Sequence, residues 1–122
     1  MRVLVCGGRD YLDTDHVHNE LWRLHKKLGP FTVLIHGAAT GADDEAMIWA
    51  QTYGFKHLPF EADWHTHGRA AGPIRNQRMI DEGKPELVIA FPGGRGTEDM
   101  KRRARDAGIN VVEVKARPET KD

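Results

Sequence analysis

The feature that most constrains the fold is a series of short apolar runs that end in glycine-containing turns. Residues 3–6 (VLVC) precede Gly7-Gly8, residues 31–35 (FTVLI) precede His36-Gly37, and residues 87–91 (LVIAF) precede a glycine cluster at 93–96. Strands without polar–apolar alternation are buried on both faces, as in parallel sheets that helices cover. The runs therefore predict a parallel sheet whose carboxyl edge carries glycine-rich loops.

Helical patterns lie between these runs. Apolar residues recur at helical spacing over residues 13–28, 42–53 and 97–107, and Pro73 can open a helix that ends near residue 82. A weaker strand is predicted over residues 55–60 and a closing strand over residues 111–114, and residues 62–72 are predicted to be irregular. The alternation of five strands and four helices predicts an α/β fold, a Rossmann-like doubly wound, mainly parallel five-stranded sheet with helices on both faces.

The bulk composition indicates a single domain. We assign residues 1–116 to it and residues 117–122 to a polar C-terminal tail. No apolar run approaches the roughly 20 residues that cross a membrane, and the lone Cys6 excludes an internal disulfide, so we expect a cytoplasmic protein. Lys+Arg and Asp+Glu both number 18, which argues against a bulk electrostatic binder of nucleic acid.

The loop before the last helix has the composition of a phosphate site. Gly94-Arg95-Gly96-Thr97 opens that helix, and the free N–H groups and dipole of a helix start attract phosphate. Thr97 can cap the helix or donate its hydroxyl to a phosphate oxygen. The loop is neither a Walker A motif nor GxGxxG, which disfavours a standard ATPase or dehydrogenase.

Two further loops fall at the same predicted sheet edge. Residues 37–42 are all small and precede Asp43, which is either an N-cap or an acceptor for a sugar hydroxyl. Arg9 follows the first strand and either clamps phosphate or pairs with Asp10. Ligands of doubly wound folds bind at this edge, so we favour a ligand cleft over tight turns alone.

The segment before and after Pro73 contributes charge and aromatic character. Arg69, Arg75 and Arg78 can supply countercharge, and Asn76 can read a base edge or cap a loop. Trp64 is either a stacking platform for a base or a lid that packs on the core. The neighbouring His-x-His lacks further ligands in the sequence, so we expect no metal site.

Four motifs in order resemble a known family: GGRDY at 7–11, HGAATGAD at 36–43, ADWHTHGRAAGPIRN at 62–76 and AFPGGRGTEDM at 90–100. Together they resemble the YspA/YpsA-related (DUF2493-like) branch of the SLOG superfamily, to which the LOG and DprA/Smf proteins also belong. The resemblance spans about residues 2–114. It implies a Rossmann-like sheet and a pocket for nucleotides or their derivatives.

The LOG proteins, which hydrolyse the N-glycosidic bond of nucleoside monophosphates, carry PGGxGTxxE. Here Pro92, Gly93, Gly94, Gly96 and Thr97 match, but Met100 stands at the glutamate position. Met cannot transfer a proton, so a LOG-like hydrolase would need another carboxylate, for which Asp43 and Glu98 are the candidates. The phosphate cradle does not depend on that glutamate.

The sequence thus favours a module that binds or senses a nucleotide or nucleotide derivative. The alternatives are a LOG-like N-glycosidic hydrolase and a DprA-like nucleic-acid or protein interaction module. We expect a small nucleotide-like ligand, no cofactor, no membrane partner and no dominant nucleic-acid partner, with a homodimer as the preferred oligomer. The predicted ligand-binding residues are Gly7, Gly8, Arg9, Gly37, Ala38, Ala39, Gly41, Ala42, Asp43, Arg75, Asn76, Pro92, Gly93, Gly94, Gly96 and Thr97.

Overall fold

The computed structural model describes residues 1–117. Residues 118–122, and with them most of the predicted tail, lie outside the described residues. The strands are β1 (Arg2–Cys6), β2 (Val33–His36), β3 (Lys56–Pro59), β4 (Leu87–Ala90) and β5 (Asn110–Glu113). The helices are α1 (Thr14–Leu28), α2 (Ala42–Thr52), α3 (Trp64–His67), α4 (Ala71–Asp81) and α5 (Arg95–Asp106), with a 3-10 turn over Gly68–Ala70.

The five strands form one sheet in the order β3-β2-β1-β4-β5, and every pairing is parallel. The predicted Rossmann-like architecture is therefore confirmed. The chain runs outward from β1 to β3, then returns past β1 to β4 and β5. The strand order reverses between β1 and β4, and open parallel sheets bind ligands at such a point.

Alternate residues of each inner strand face opposite layers, which explains the continuous apolar runs. Val3 and Val5 of β1 pack in one core cluster with the apolar residues of α1 and α2, including Trp49. Leu4 packs in a second cluster with residues of α4 and α5, including Met100. A strand that is buried on both faces is therefore apolar at nearly all of its positions.

The segment 62–72, predicted to be irregular, is mostly helical. Asp63 is the N-cap of α3 and accepts a hydrogen bond from the Thr66 N–H at 3.1 Å. Helix α4 begins at Ala71, two residues before Pro73. Proline is tolerated there because the N–H groups of the first turn have no intrahelical acceptor.

Close packing of the three loops at the sheet edge explains several of their glycines. The Gly8 N–H donates to the Pro92 carbonyl at 2.9 Å, and the Ala42 N–H donates to the Gly8 carbonyl at 3.1 Å. A Cβ on Gly41 would overlap the carbonyl oxygen of Gly8, and a Cβ on Gly93 would overlap the Thr97 hydroxyl. These glycines allow one loop to rest on the next.

Gly41→Ala and Gly54→Ala compare a glycine that is packed between loops with one that borders open space. Both glycines have φ of 76°, but a Cβ on Gly54 would meet nothing within 4 Å. We expect Gly54→Ala to lower the free energy of unfolding by about 1 kcal/mol, the cost of the left-handed conformation alone. Gly41→Ala should cost at least about 2 kcal/mol more, because the Gly8 carbonyl must move and because ψ of −128° at Gly41 lies outside the left-handed region that alanine can enter. Urea unfolding measures both, and equal losses would contradict the packing role.

Candidate functional site

A cleft of about 590 Å³ opens at the reversal of strand order, beyond the carboxyl ends of β1 and β4. The loops after β1 and β2, the segment around α3, and the helices α4 and α5 form its walls. Its lining residues are Cys6, Gly7, Gly8, Arg9, Ala39, Asp43, Trp64, Arg69, Gly72, Pro73, Arg75, Asn76, Met79, Gly94, Arg95, Gly96, Thr97, Asp99 and Met100.

The N-terminus of α5 forms one wall of the cleft. Gly94 is the N-cap, and no side chain within residues 1–117 bonds to the free N–H groups of the first turn. A Cβ on Gly94 or Gly96 would meet nothing within 4 Å, so these two glycines border open space. Thr97 lies within the first turn and is not the cap, contrary to one alternative for this residue. The arrangement leaves helix N–H groups accessible from the cleft.

Asp43 is a buried carboxyl group at the cleft wall. It is 5% exposed, and its Oδ2 accepts the Gly37 N–H at 2.9 Å. Burial raises the pKa of Asp43 to about 6, although the Arg75 charge and the N–H groups of Gly37 and Ala39 act in the opposite direction. Gly41 is the N-cap of α2, so the N-cap alternative for Asp43 is wrong. Asp43 instead orders the loop that precedes its own helix.

His36 supports the same loop from the other side. Its Nδ1 accepts the Ala38 N–H at 3.1 Å, and its Nε2 lies 3.2 Å from Nδ1 of His57. Burial, together with the neighbouring His57, lowers the pKa of His36 to about 4. His36 therefore stays neutral near pH 7, as its acceptor role toward the Ala38 N–H requires.

The cleft gathers arginines that lack carboxylate partners within residues 1–117: Arg9, Arg69, Arg75 and Arg95. By contrast, each basic residue of the run at 101–105 pairs with a carboxylate, as do Arg23, Arg78 and Arg117. The predicted alternative of an ion pair between Arg9 and Asp10 is wrong, because the two side chains do not pair. Its guanidinium Cζ lies 5.0 Å from the ring centroid of Trp64. Four arginines without carboxylate partners among residues 1–117 thus converge on one concave site.

Asn76 connects the helices on either side of the cleft. Its Nδ2 donates to the Gly96 carbonyl at 3.2 Å and to Asp99 at 3.0 Å, while its Oδ1 accepts from Arg75 Nε at 3.0 Å. Burial would raise the pKa of Asp99, but hydrogen bonds from Arg103, Asn76 and Arg102 outweigh burial and lower it. Asn76 therefore joins α4 to α5 and orients Arg75.

The floor of the cleft is apolar. It consists of Cys6, Met79 and Met100, and burial raises the pKa of the Cys6 thiol. Met100 is 1% exposed and packs in the core cluster beneath α4 and α5. Glu98 faces away, pairs with Lys101 at 2.6 Å and does not line the cleft. Of the two candidate catalytic carboxylates, only Asp43 lies at the cleft.

A smaller pocket of about 330 Å³ adjoins the cleft. Gly37, Ala38, Thr40, Glu61 and Ala62 line it alone, whereas Arg9, Ala39, Trp64 and Arg75 line both spaces. The two spaces therefore meet along the Arg9–Trp64 contact.

The structure brings most of the predicted site residues to these two spaces. Twelve of the sixteen line one or the other, whereas Gly41, Ala42, Pro92 and Gly93 line neither. Arg78 lies on α4 with Arg75 but pairs with Glu82 outside the cleft. The cleft-lining residues absent from the predicted set are Cys6, Trp64, Arg69, Gly72, Pro73, Met79, Arg95, Asp99 and Met100. Direct ligand contact by any of these residues stays a prediction.

The described residues form neither a membrane-spanning helix nor a cluster of metal ligands. No helix within residues 1–117 has the length and apolar character to span a membrane. Over the same residues, no group of three or more His, Cys, Asp and Glu side chains is placed to hold a metal ion. His65 and His67 lie exposed on α3.

The fold and cleft define a Rossmann-like α/β protein with an arginine-lined site at its switch point. Residues 1–67 match the YspA, cpYpsA-related SLOG family (YAcAr), and the chain belongs to this family. It is 40% identical over 126 residues to the Gene 61 protein of Mycobacterium phage D29. The aligned region covers 96% of this chain and 98% of the phage protein. The resemblance to this branch is confirmed, and membership is consistent with nucleotide-related binding or processing.

Asp43→Asn should change how stability depends on pH. Because burial raises the pKa of Asp43 to about 6, the folded protein retains a proton that the unfolded chain releases near pH 4. The unfolding free energy of the native protein should therefore fall, relative to the variant, by about 2 to 3 kcal/mol as pH rises from 4 to 6. Urea unfolding of both proteins across this range measures the difference, and parallel curves would contradict the raised pKa.

Proposed function

We propose that the chain binds a nucleotide or nucleotide derivative in the cleft, with a phosphate group at the N-terminus of α5. One observation carries this proposal. An accessible helix N-terminus, bordered by Gly94 and Gly96, faces arginines without carboxylate partners among the described residues. Helix N–H groups and guanidinium groups are the donors that proteins use for phosphate.

The rest of the cleft supports a ligand larger than inorganic phosphate. Its volume of about 590 Å³ lies within the range of small-molecule sites. The apolar floor of Cys6, Met79 and Met100 offers no charged group, which suits an uncharged ring better than a second anion. Asp43 is the carboxylate that could accept a hydrogen bond from a ribose hydroxyl.

The DprA-like alternative gains no support from the described surface. The basic run on α5 is the densest cluster of positive charge in the sequence, but each member pairs with a carboxylate. Salt-dependent binding of nucleic acid needs basic side chains that are free to neutralise phosphates. Arg9, Arg69, Arg75 and Arg95, which have no carboxylate partner among the described residues, lie inside a concave site.

Ligand-observed NMR with a panel of nucleoside mono-, di- and triphosphates, NAD and ADP-ribose tests the proposal. We expect line broadening of at least one compound, and competition by inorganic phosphate at higher concentration. Absence of binding across the panel would reject a nucleotide site. Binding that persists unchanged in excess phosphate would reject the phosphate position at α5.

Gly94→Asp and Gly94→Asn form a matched pair for the phosphate position. Both side chains are good N-caps and have open space at Gly94, so the stabilities of the two variants should agree within a few tenths of a kcal/mol. The aspartate adds a negative charge where the phosphate would bind. We expect Gly94→Asp to bind AMP about tenfold more weakly than Gly94→Asn, as measured by NMR titration. Equal affinities would place the phosphate elsewhere.

The second candidate is an N-glycosidic hydrolase, and the environment of Asp43 favours it. A buried carboxyl group with a pKa of about 6 at a cleft wall matches the properties of a general acid or base near neutral pH. In such a reaction the sugar–base bond breaks, and water supplies a hydroxyl group to the sugar carbon and a proton to the base.

Asp43→Asn and Glu98→Gln together distinguish an enzyme from a binding module. If the cleft is catalytic, Asp43→Asn should reduce the release of free base by roughly 100-fold or more. Glu98→Gln alters an exposed carboxylate outside the cleft and should leave the rate unchanged. NMR spectra of nucleoside monophosphates, incubated for hours with each protein, follow the appearance of free base and sugar phosphate. Unchanged nucleotide with the native protein would exclude this reaction for that substrate.

A further inference from the structure

The contact between Arg9 and Trp64 lies at the junction of the cleft and the smaller pocket. The Arg9 Cζ is 5.0 Å from the centroid of the indole ring, and both residues line both spaces. The Trp64 side chain is 47% exposed on α3, whereas Trp49 is completely buried. Trp64 belongs to neither core cluster, so its ring is not needed to complete the core.

Arg9 combines a fixed backbone with an uncommitted side chain. The Thr40 hydroxyl donates to the Arg9 carbonyl at 3.1 Å, and Gly41 packs directly against the same carbonyl group. No carboxylate among residues 1–117 pairs with the guanidinium group of Arg9, which remains exposed. The cation therefore covers the indole face without any ion pair that holds it there.

We propose that the Arg9–Trp64 contact is exchanged when the ligand binds. The aromatic ring of the ligand takes the indole face, and the released Arg9 guanidinium pairs with the ligand's phosphate. This inference rests on the proposed nucleotide site and adds a selection rule to it. The site prefers an anion that carries an aromatic ring over an anion with the same sugar phosphate and no ring.

The geometry requires displacement of the arginine. A ring inserted between two groups needs about 7 Å, twice the contact distance between carbon atoms, and the present separation is 5.0 Å. A ring can therefore reach the indole face only after Arg9 has moved.

The energetics give the exchange its selectivity. A cation–π contact at an exposed site is weak, whereas stacking of a nucleobase on an aromatic side chain is stronger. A nucleotide replaces the weak contact with base stacking and adds a phosphate–guanidinium pair. A sugar phosphate must break the cation–π contact to reach Arg9 and has no ring to place on the exposed indole.

Binding of AMP and ribose 5-phosphate to the native protein, Trp64→Leu and Trp64→Phe tests the exchange. The two probes share a sugar phosphate and differ by the base. We expect Trp64→Leu to lose about tenfold or more in AMP affinity, and to bind ribose 5-phosphate as well as the native protein or better. Trp64→Phe should retain most of the preference for AMP, because it keeps an aromatic face.

A second measurement needs no variant. Magnetisation transfer between the indole protons of Trp64 and the base protons of bound AMP should be detectable in the native protein. The exchange would be overturned if Trp64→Leu lost affinity equally for both probes, or if its affinity for AMP were unchanged. Absence of the magnetisation transfer would overturn it as well. Failure of both probes to bind the native protein would also overturn the exchange, whereas the nucleotide site itself is rejected only if the whole panel fails to bind.

Discussion

The mutual support of three loops at the carboxyl edge of the sheet is the constraint on which the site depends. Gly8 lies at its centre, with its N–H bonded to the loop after β4 and its carbonyl bonded to the start of α2. Loops are usually more mobile and more variable in sequence than the elements they connect. Here hydrogen bonds and close contacts between the loops mean that one loop cannot shift unless its neighbour also moves. The helix N-terminus of α5 is therefore held at a defined position above β1.

The distribution of charge is the second constraint. Burial lowers the pKa of Arg75, and the charge of Arg9 acts in the same direction, whereas the charge of Asp43 raises it. The guanidinium groups of the cleft are therefore partly desolvated and repel one another. Functional sites often depart from the arrangements that stabilise the rest of a protein. An anionic ligand would relieve this repulsion, and any ligand that binds only the folded protein also stabilises the fold.

The sheet, the helices and the loops with phosphate-site composition could be predicted, because apolar runs and glycine clusters are local signals. The α3 segment was missed because a single turn capped by Asp63 has no periodicity to detect. Cys6, Met79 and Met100 were missed as cleft residues because a cleft floor and a core have the same composition. The glycines were identified as a group, but sequence could not separate Gly94 and Gly96, which border open space, from Gly41 and Gly93, which allow loops to touch.

The acidic side chains that line the cleft limit which groups can transfer protons there. Among the lining residues only Asp43 and Asp99 are acidic. Hydrogen bonds from Asn76, Arg102 and Arg103 hold Asp99 in its ionised form, whereas burial brings the pKa of Asp43 to about 6. The loop after β2, which Asp43 orders through the Gly37 N–H, also forms a wall of the smaller pocket. Within the cleft, Asp43 is therefore the carboxyl group suited to proton transfer near neutral pH, and its protonation is coupled to the loop that shapes the site.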